Sequence, residues 1–341
     1  MTIVDTVILG DAYDVLKSFP QETVNLIITS PPYYRQRDYG GIGIGNEETK
    51  EAYLENLLKI FGECVRVLKN DGSIVFNLGD KYINGSLALI PYRFAIMAME
   101  RFNVLLVNNI TWVKKNPTPR QYKRRLAPST EPFFHFVKSD KYYFDLDSFM
   151  EDKKPSFNGK RRNPGERYFK LIENSDLSPE EKELAKKELS IAIEEVRLGL
   201  IRDFRMKIRG IHAEPFGGQE GGRLYHLRRK GFTIIKMRGE PIKRDVIESN
   251  VETIKGRKHS AIYPKKLISE FIKLLSREGD IVLDPFAGSG TTLIAAYELK
   301  RHYIGIEINP EYYRYIFERL EDARRKVQNE REGLYEHMWH S

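Results

Sequence analysis

The residues best suited to chemistry follow an apolar run and lie within Ile27–Tyr33. Ser30 precedes Pro31 and Pro32, which fix φ and lack an N–H, so the carbonyls of this stretch point in set directions. Tyr33 then adds an aromatic ring. Because the apolar run reads as a strand, we expect this hydroxyl, a rigid carbonyl and the ring at the carboxyl edge of a sheet, where doubly wound folds bind ligands.

Such groups suit the transfer of a substituent to an amine. The exocyclic amine of a nucleobase is a poor nucleophile, because its lone pair is delocalised into the ring. Acceptors opposite the amino hydrogens favour the pyramidal nitrogen that attacks, which stabilises the transition state over the ground state. Ser30 Oγ and the Pro31 carbonyl would supply two acceptors, and Tyr33 would stack on the base. No covalent intermediate is needed, and the single cysteine, Cys64, is expected to pack in a helix.

A second stretch, Ile281–Leu299, reads as a strand, a glycine turn and a helix. Gly288 and Gly290 permit a tight turn and close approach of the backbone to a ligand. Leu293 stands where the dinucleotide fingerprint has its third glycine, which disfavours close packing against a pyrophosphate. Glu307 ends another apolar strand seventeen positions after Gly290, where a carboxylate would accept hydrogen bonds from a ribose diol.

Alternating strands and helices surround both stretches and predict one doubly wound, Rossmann-like α/β domain built from residues 1–150 and 259–341. The predicted strands are Asp5–Leu9, Val24–Ile28, Ser73–Leu78, Val104–Trp112, Ile281–Leu283 and Tyr303–Glu307. The predicted helices are Glu47–Leu68, Pro91–Arg101, Leu267–Leu275, Thr291–Leu299 and a long one from Glu311 onward. Asn70–Gly72 is expected to end the helix before it.

Residues 151–258 differ from the two flanks in charge. They hold 26 Lys and Arg against 18 Asp and Glu, an excess of +8 that equals the net charge of the whole chain. A helix capped by Ser178 opens part of this segment, and a glycine-rich loop at 217–222 precedes the basic cluster. The cluster consists of Arg223, His226, Arg228, Arg229 and Lys230. The charge indicates an inserted region that binds a polyanion, or alternatively a solvated charged surface.

Together these residues resemble the DNA amino-methyltransferases, the N4-cytosine and N6-adenine enzymes of restriction–modification systems. TSPPY (Thr29–Tyr33) is similar to their catalytic motif and DPFAGSGTT (Asp284–Thr292) to their S-adenosylmethionine motif. The catalytic motif comes first, which is the permuted order of the beta class, whose target recognition region lies between the two motifs. The resemblance therefore implies that residues 151–258 are this region.

The resemblance also implies roles for individual residues. Catalysis would fall to Ser30, Pro31, Pro32 and Tyr33. The charge of the basic cluster separately predicts DNA binding by Arg223, Arg228, Arg229 and Lys230. The implied cofactor-pocket residues are Asp11, Asp284, Phe286, Gly288, Gly290, Thr291 and Glu307. Lys258–Ile268 resembles the segment that holds the methionine end, and Asn109–Arg120 with Ser129–Ser139 the lining of the target-base pocket. The implied cofactor is S-adenosyl-L-methionine, with S-adenosyl-L-homocysteine as product and no metal.

Serine at position 30 is typical of N4-cytosine enzymes and aspartate of N6-adenine ones, so cytosine is favoured and adenine is the alternative. Further alternatives are methylation of RNA or protein, a non-catalytic DNA-binding protein and a nicotinamide oxidoreductase. The expected partner is double-stranded DNA, and a cognate endonuclease and a homodimer stay open. The chain has no apolar run of 18 residues and no signal-peptide pattern at its start, so we expect a cytoplasmic protein without a membrane partner.

Overall fold

The computed structural model describes residues 4–36, 43–117, 124–145, 165–198, 200–201, 203–212, 223–237, 244–251 and 263–339. The strands are β1 (Thr6–Leu9), β2 (Val24–Thr29), β3 (Leu68–Asn77), β4 (Tyr82–Ile83), β5 (Ser86–Leu87), β6 (Leu105–Lys114), β7 (Thr130–Val137), β8 (Asp203–Ile208), β9 (Phe232–Met237), β10 (Val246–Ser249), β11 (Ile281–Asp284) and β12 (His302–Glu307). The helices are α1 (Ala12–Lys17), α2 (Lys50–Val67), α3 (Ile90–Arg101), α4 (Glu166–Glu173), α5 (Pro179–Arg197), α6 (Arg223–Lys230), α7 (Lys265–Leu275), α8 (Thr291–Glu298) and α9 (Pro310–Trp339).

The main sheet has eight strands in the order β1-β12-β11-β2-β3-β7-β6-β10. All neighbours pair in parallel except β7, which runs antiparallel to both β3 and β6. Every residue of the central strand β2 is buried, as expected for a parallel strand covered on both faces. The sheet contains strands from both ends of the chain, which confirms the predicted doubly wound α/β fold.

Helices cover both faces of this sheet. Residues of α1, α2 and α3 form a core on one face, and residues of α7, α8 and α9 form a core on the other. Tyr53, Leu57, Phe61 and Cys64 recur at helical spacing on α2 and are all buried in the first core. The packing role predicted for Cys64 is confirmed, and burial raises the pKa of its thiol.

The helix expected to end at Asn70–Gly72 ends just before these residues. Helix α2 ends earlier, at Val67, and these residues lie within β3. The pairing of β2 with β3 shifts register between Val24 and Leu26, next to this stretch. A Cβ on Gly72 would lie 2.6 Å from the Asn25 carbonyl oxygen, so the glycine permits a close approach of the two strands rather than a helix stop.

Contacts between Cα atoms divide the chain into two compact units, Met1–Phe149 with Arg244–Ser341, and Met150–Lys243. The second unit has its own apolar core, formed by α4, α5, β8, β9 and their neighbours. Helix α5 begins with the predicted cap, in which Ser178 Oγ accepts from the Glu181 N–H and the Glu181 carboxylate accepts from the Ser178 N–H. Strands β8 and β9 form an antiparallel pair.

The end of the inserted region differs from the predicted boundary at residue 258. Strand β10 falls inside the predicted insert, yet it pairs in parallel with β6 and extends the main sheet. Trp112 Nε1 donates to Ser249 Oγ at 2.8 Å across this pair. A strand of four residues with half-exposed side chains has too weak a pattern to be found from sequence. Among the described residues, no helix is long and apolar enough to cross a bilayer.

Candidate active site

Two loops of chemical interest leave the sheet side by side. Strands β2 and β11 are parallel neighbours, with Leu26 opposite Val282 and Ile27 opposite Leu283. Because both strands run the same way, Ser30 after β2 and Gly288 after β11 lie at the same carboxyl edge. The sequence interpretation depends on these two residues sharing one edge, and the topology brings them there.

Asp284 joins the two loops. Its Oδ1 accepts from Thr29 Oγ1 at 2.6 Å and from the Phe286 N–H at 3.1 Å, and its Oδ2 accepts from the Tyr263 hydroxyl at 3.1 Å. The Asp284 side chain has no exposed surface, and burial raises the pKa of its carboxyl while the donors around it act in the opposite direction. Asp284, which the sequence predicts in the cofactor pocket, is a buried carboxylate that joins the glycine loop to the end of β2.

The glycine loop itself depends on backbone conformation. Gly288 and Gly290 have φ values of 54° and 77°, in the left-handed region that favours glycine. A Cβ on Gly290 would lie 3.0 Å from Ile316 Cγ2, so this glycine also allows α9 to pack on the loop. Leu293, at the missing third glycine, packs instead over Gly305 of β12, where a Cβ would lie 2.5 Å from Leu293 Cδ1.

Glu307 meets the glycine loop from the neighbouring strand. Its Oε2 accepts from the Gly288 N–H at 2.7 Å and its Oε1 from the Asn309 N–H at 2.8 Å. The side chain is 7% exposed, and burial raises the pKa of this carboxyl to about 7. A carboxylate has about four acceptor sites, so Glu307 is equipped to accept a further hydrogen bond from a ligand hydroxyl group.

The other three expected cofactor-pocket residues differ in exposure. Asp11 is half-buried and caps α1, accepting from the Tyr13 N–H at 2.9 Å. Phe286 is half-buried against the core of the first face. Thr291 is only 3% exposed, and its hydroxyl lies 3.2 Å from Ser289 Oγ, so its side chain supports the loop from within.

This edge of the sheet offers acceptors for the hydrogen-bond donors of S-adenosylmethionine, which are its ribose hydroxyls and its adenine amine. Leu9 of β1 lies opposite Glu307 of β12, and the Gly10 N–H donates to the Glu307 carbonyl at 3.0 Å, so Asp11 and Glu307 follow neighbouring strand ends. A carboxylate pair there suits a ribose diol and an adenine amine. A Cβ on Gly288 would meet nothing nearer than the Phe286 carbonyl oxygen at 3.7 Å, which leaves room beside the loop.

The proline segment is held from behind by a residue that sequence reasoning missed. Tyr53 of α2 is buried, and its hydroxyl donates to the Pro32 carbonyl at 2.8 Å. Pro32 also packs against Gly45, where a Cβ would lie 3.1 Å from Pro32 Cβ. The Pro32 carbonyl therefore already accepts a hydrogen bond from within the protein.

Tyr33 lies in a hydrogen-bonded cluster with residues of three other strands. Its hydroxyl lies 2.7 Å from Asn77 Oδ1 and 3.0 Å from Glu131 Oε2, and Ser30 Oγ lies 3.2 Å from both Tyr33 Oη and Asn77 Oδ1. Lys114 forms an ion pair with Glu131. The Tyr33 ring lies against Gly79, where a Cβ would be 2.4 Å from ring carbons.

Asn77 and Glu131 are further functional candidates. Asn77 ends β3, so a polar residue closing the apolar run SIVFN was a signal available in the sequence. Glu131 lies in the stretch Ser129–Ser139 that the resemblance already assigned to the base pocket. Residues 118–120 of the partner stretch and 258–262 of the segment before α7 lie outside the described residues.

The basic cluster lies on α6 of the second unit. Arg228 and Arg229 are exposed, and Lys230 forms an ion pair with Glu188 at 3.0 Å, which partly neutralises its charge. The side chain of Arg223 and the loop at 217–222 lie outside the described residues. Arg228 and Arg229 are thus exposed basic residues of α6.

Comparisons with known proteins agree with this geometry. A family model described as DNA methylase matches residues 24–318. The Type II methyltransferase M.Cfr9I of Citrobacter freundii is 28% identical over 346 residues, covering 93% of this chain and 87% of the relative. The solved structure of the PvuII DNA methyltransferase (cytosine-N4-specific) has a TM-score of 0.59 at 19% identity, covering 96% of this chain and 94% of that one. TTHA0409 of Thermus thermophilus, complexed with S-adenosyl-L-methionine, has a TM-score of 0.52 at 23% identity, covering 93% of each chain.

Proposed function

The chain belongs to the DNA methylase family of N4-cytosine and N6-adenine amino-methyltransferases, and from that premise we propose that it methylates the exocyclic amine of a flipped DNA base, with N4 of cytosine favoured. The observation that carries the proposal is the shared edge of β2 and β11, joined by the 2.6 Å hydrogen bond from Thr29 to Asp284. A methyl donor beside Gly288 and an amine beside Ser30 would then be within reach of one transfer step.

The side chains at this edge suit direct transfer. S-adenosylmethionine, when bound, supplies a methyl group on a positively charged sulfur. Glu307 and Asp11 would hold the donor through its hydroxyl groups and its adenine amine. Ser30 Oγ and the Pro31 carbonyl would accept the amino hydrogens of the base. The amine would form its new N–C bond as the S–C bond breaks, with the electron pair of that bond left on the neutral sulfur of the product, and the surplus amine proton would pass to water.

The choice of the amine over the ring carbon is supported by Cys64. Methylation at C5 of cytosine needs a cysteine nucleophile. Cys64 is the single cysteine in the sequence, has no exposed surface and has a raised thiol pKa, so it cannot serve. Ser30 favours cytosine, in keeping with the cytosine-N4-specific protein that shares the fold, and N6 of adenine is the alternative.

We propose that the basic insert predicted at residues 151–258 recognises the target, with the compact unit Met150–Lys243 as its folded part. Double-stranded DNA is the substrate, and a base must leave the stack for its amine to reach a recessed site. Arg228 and Arg229 would contact phosphates, which position the duplex without reading its sequence. A Type II relative suggests a cognate endonuclease, and the expected location is the cytoplasm.

Nucleoside analysis tests the function. DNA from cells that express the protein in a host without its own DNA methylation is digested and examined by mass spectrometry, and sequencing with detection of modified bases locates the sites. We expect N4-methylcytosine in one short sequence, and none in cells that express Ser30→Ala at the same level. N6-methyladenine would favour the alternative target, and 5-methylcytosine would contradict the mechanism. Methyl transfer to RNA or protein alone, in a parallel assay with duplex DNA, would contradict the substrate.

A further inference from the structure

A serine hydroxyl both donates and accepts, yet the proposed reaction requires Ser30 to accept. If its hydrogen pointed at the incoming amine, two donors would face each other and the bond would be lost. Two side chains, Asn77 of β3 and Glu131 of β7, bear on where the Ser30 hydroxyl hydrogen points. This inference rests on the proposed function and names residues that serve it.

The first acceptor is the side-chain amide of Asn77, whose orientation is fixed by the protein. Asn77 is 1% exposed, and its Nδ2 donates to the Pro132 carbonyl at 3.1 Å. That bond fixes the amide so that Oδ1, which can only accept, faces the site. Ser30 Oγ and Tyr33 Oη lie 3.2 Å and 2.7 Å from this oxygen.

The second acceptor is the Glu131 carboxylate. Its Oε2 lies 3.0 Å from the Tyr33 hydroxyl, and its other oxygen is held by the ammonium of Lys114. Both side chains of this ion pair are largely buried, with 15% of Glu131 and 17% of Lys114 exposed. The pair therefore holds one carboxylate oxygen in place for Tyr33.

The hydroxyl hydrogens of the cluster all have acceptors within the protein. Ser30 and Tyr33 contribute one hydroxyl hydrogen each, while Asn77 Oδ1 and Glu131 Oε2 contribute none. Among the described residues, Ser30 Oγ has two neighbours within hydrogen-bond distance, Tyr33 and Asn77, and its hydrogen goes to one of them. Its lone pairs remain for an N–H from the substrate.

We propose that Asn77 and Glu131 are positioning residues that fix Ser30 as a hydrogen-bond acceptor and thereby select a base that carries an amine. A base with a carbonyl at the same place, such as thymine, would bring a hydrogen-bond acceptor against Ser30 Oγ and the Pro31 carbonyl, which also accept, so no hydrogen bond would form. Neither residue has to touch the base, because both act through Ser30 and Tyr33.

The test is a double-mutant cycle of Ser30→Ala and Asn77→Ala, read out as the single-turnover rate of methyl transfer to duplex DNA at saturating S-adenosylmethionine. Asn77→Ala alone is expected to lower this rate roughly tenfold to 100-fold, with KM for DNA and Kd for the cofactor nearly unchanged. In the Ser30→Ala background the same change should have little further effect, because the hydroxyl that it orients is gone. Multiplied effects of the two changes would overturn the proposal.

Asn25→Ala is the matched control. Asn25 is also a buried asparagine of this sheet, at the opposite end of β2, where its Oδ1 accepts from the Ile281 N–H at 3.1 Å. Asn25→Ala should lower the thermal stability as Asn77→Ala does, but it should leave the single-turnover rate of methyl transfer unchanged. An equal loss of rate in Asn25→Ala would show a general packing effect and overturn the role of Asn77.

A second pair of variants covers the case in which Asn77→Ala does not fold. Glu131→Gln keeps an acceptor oxygen for Tyr33, whereas Glu131→Ala removes it, so the glutamine variant should retain several times the rate of the alanine variant. Equal rates in the two variants would overturn the role of Glu131. If the wild-type protein transfers no methyl group to DNA, the proposed function fails with this inference. If the wild type is active and the variants behave otherwise, only the inference fails.

Discussion

The cofactor half and the base half of the site are built differently. The cofactor half consists of consecutive residues after β11 and the carboxylate of Glu307 at the end of β12. Backbone N–H groups of Gly288 and Asn309 hold this carboxylate at 2.7 Å and 2.8 Å. The base half is formed by side chains from β2, β3, β6 and β7, whose positions in the chain span more than a hundred residues. Apart from Asp11, which follows β1, the first half is therefore local in sequence, and the second exists only after the sheet has formed.

This difference predicts that the halves can be damaged separately, although the Thr29–Asp284 hydrogen bond joins them. The largest effect is expected in the base half. Ser30→Ala should lower the single-turnover rate on the order of 100-fold to 1,000-fold, because an acceptor for the attacking amine is lost. Calorimetry should find the cofactor Kd nearly unchanged. A comparable loss of cofactor affinity would mean that the halves are not separable.

The corresponding change in the cofactor half is Glu307→Gln. We expect the affinity for S-adenosylmethionine to fall by about tenfold, because the amide offers one acceptor where the carboxylate offers two. The single-turnover rate at saturating cofactor should change much less. A variant that binds the cofactor normally but turns over slowly would move Glu307 out of the cofactor half.

The pH dependence of cofactor binding sharpens this prediction. Burial raises the pKa of Glu307 to about 7, so the free protein holds a proton on this carboxyl below neutral pH. Hydroxyl donors from a ligand favour the ionised form. Affinity should therefore be greatest above pH 7 and should fall as the pH drops below it, by at most about tenfold per pH unit. Titrations across this range should show the fall in the wild type and a nearly flat profile in Glu307→Gln.

A third prediction concerns a region outside both halves. Arg228→Ala with Arg229→Ala should weaken DNA binding and reduce the slope of log affinity against log salt by about 1 to 2, since each phosphate contact contributes about 0.9. Arg197→Ala, an exposed residue of the same unit paired with Glu194, is the control and should leave the slope unchanged. An unchanged slope in the double variant would place the DNA surface elsewhere.

The smallest effect is expected behind the proline segment. Tyr53→Phe removes the hydroxyl that donates to the Pro32 carbonyl and leaves the ring in the core. Loss of this hydrogen bond should cost about 1 kcal/mol of stability, and turnover should fall a few-fold because Ser30 is held less firmly. Thermal unfolding and steady-state kinetics check the two effects. An unchanged rate would show that the two prolines hold the segment without help.

The same difference explains which parts could be predicted from the sequence. Strands β2, β11 and β12 and the turn at Gly288 carry strong local patterns, because apolar runs and glycine spacing are consequences of nearest neighbours. Asn77 and Glu131 reach the same Tyr33 hydroxyl because β3 pairs with the antiparallel strand β7, and no local pattern reports that pairing. The contacts of Asp284 with Thr29 and Tyr263 could not be predicted either, because a motif shows that a carboxylate is needed but not which groups surround it.

The boundary of the insert is a similar case. Residues 151–258 stand out by charge, yet charge does not report hydrogen bonding between strands. Strand β10 has alternating half-exposed residues and joins the sheet beside β6 rather than the basic unit. A composition change thus located the second unit but not its last residue.

The most direct test is the structure of the protein with a duplex that contains its recognition sequence and a non-reactive analogue of S-adenosylmethionine. The account predicts an extruded base whose amine donates to Ser30 Oγ, with its nitrogen about 3 to 3.5 Å from the group that replaces the donor methyl. A base bound away from Ser30, or a donor lying on the far side of the glycine loop from it, would contradict the account.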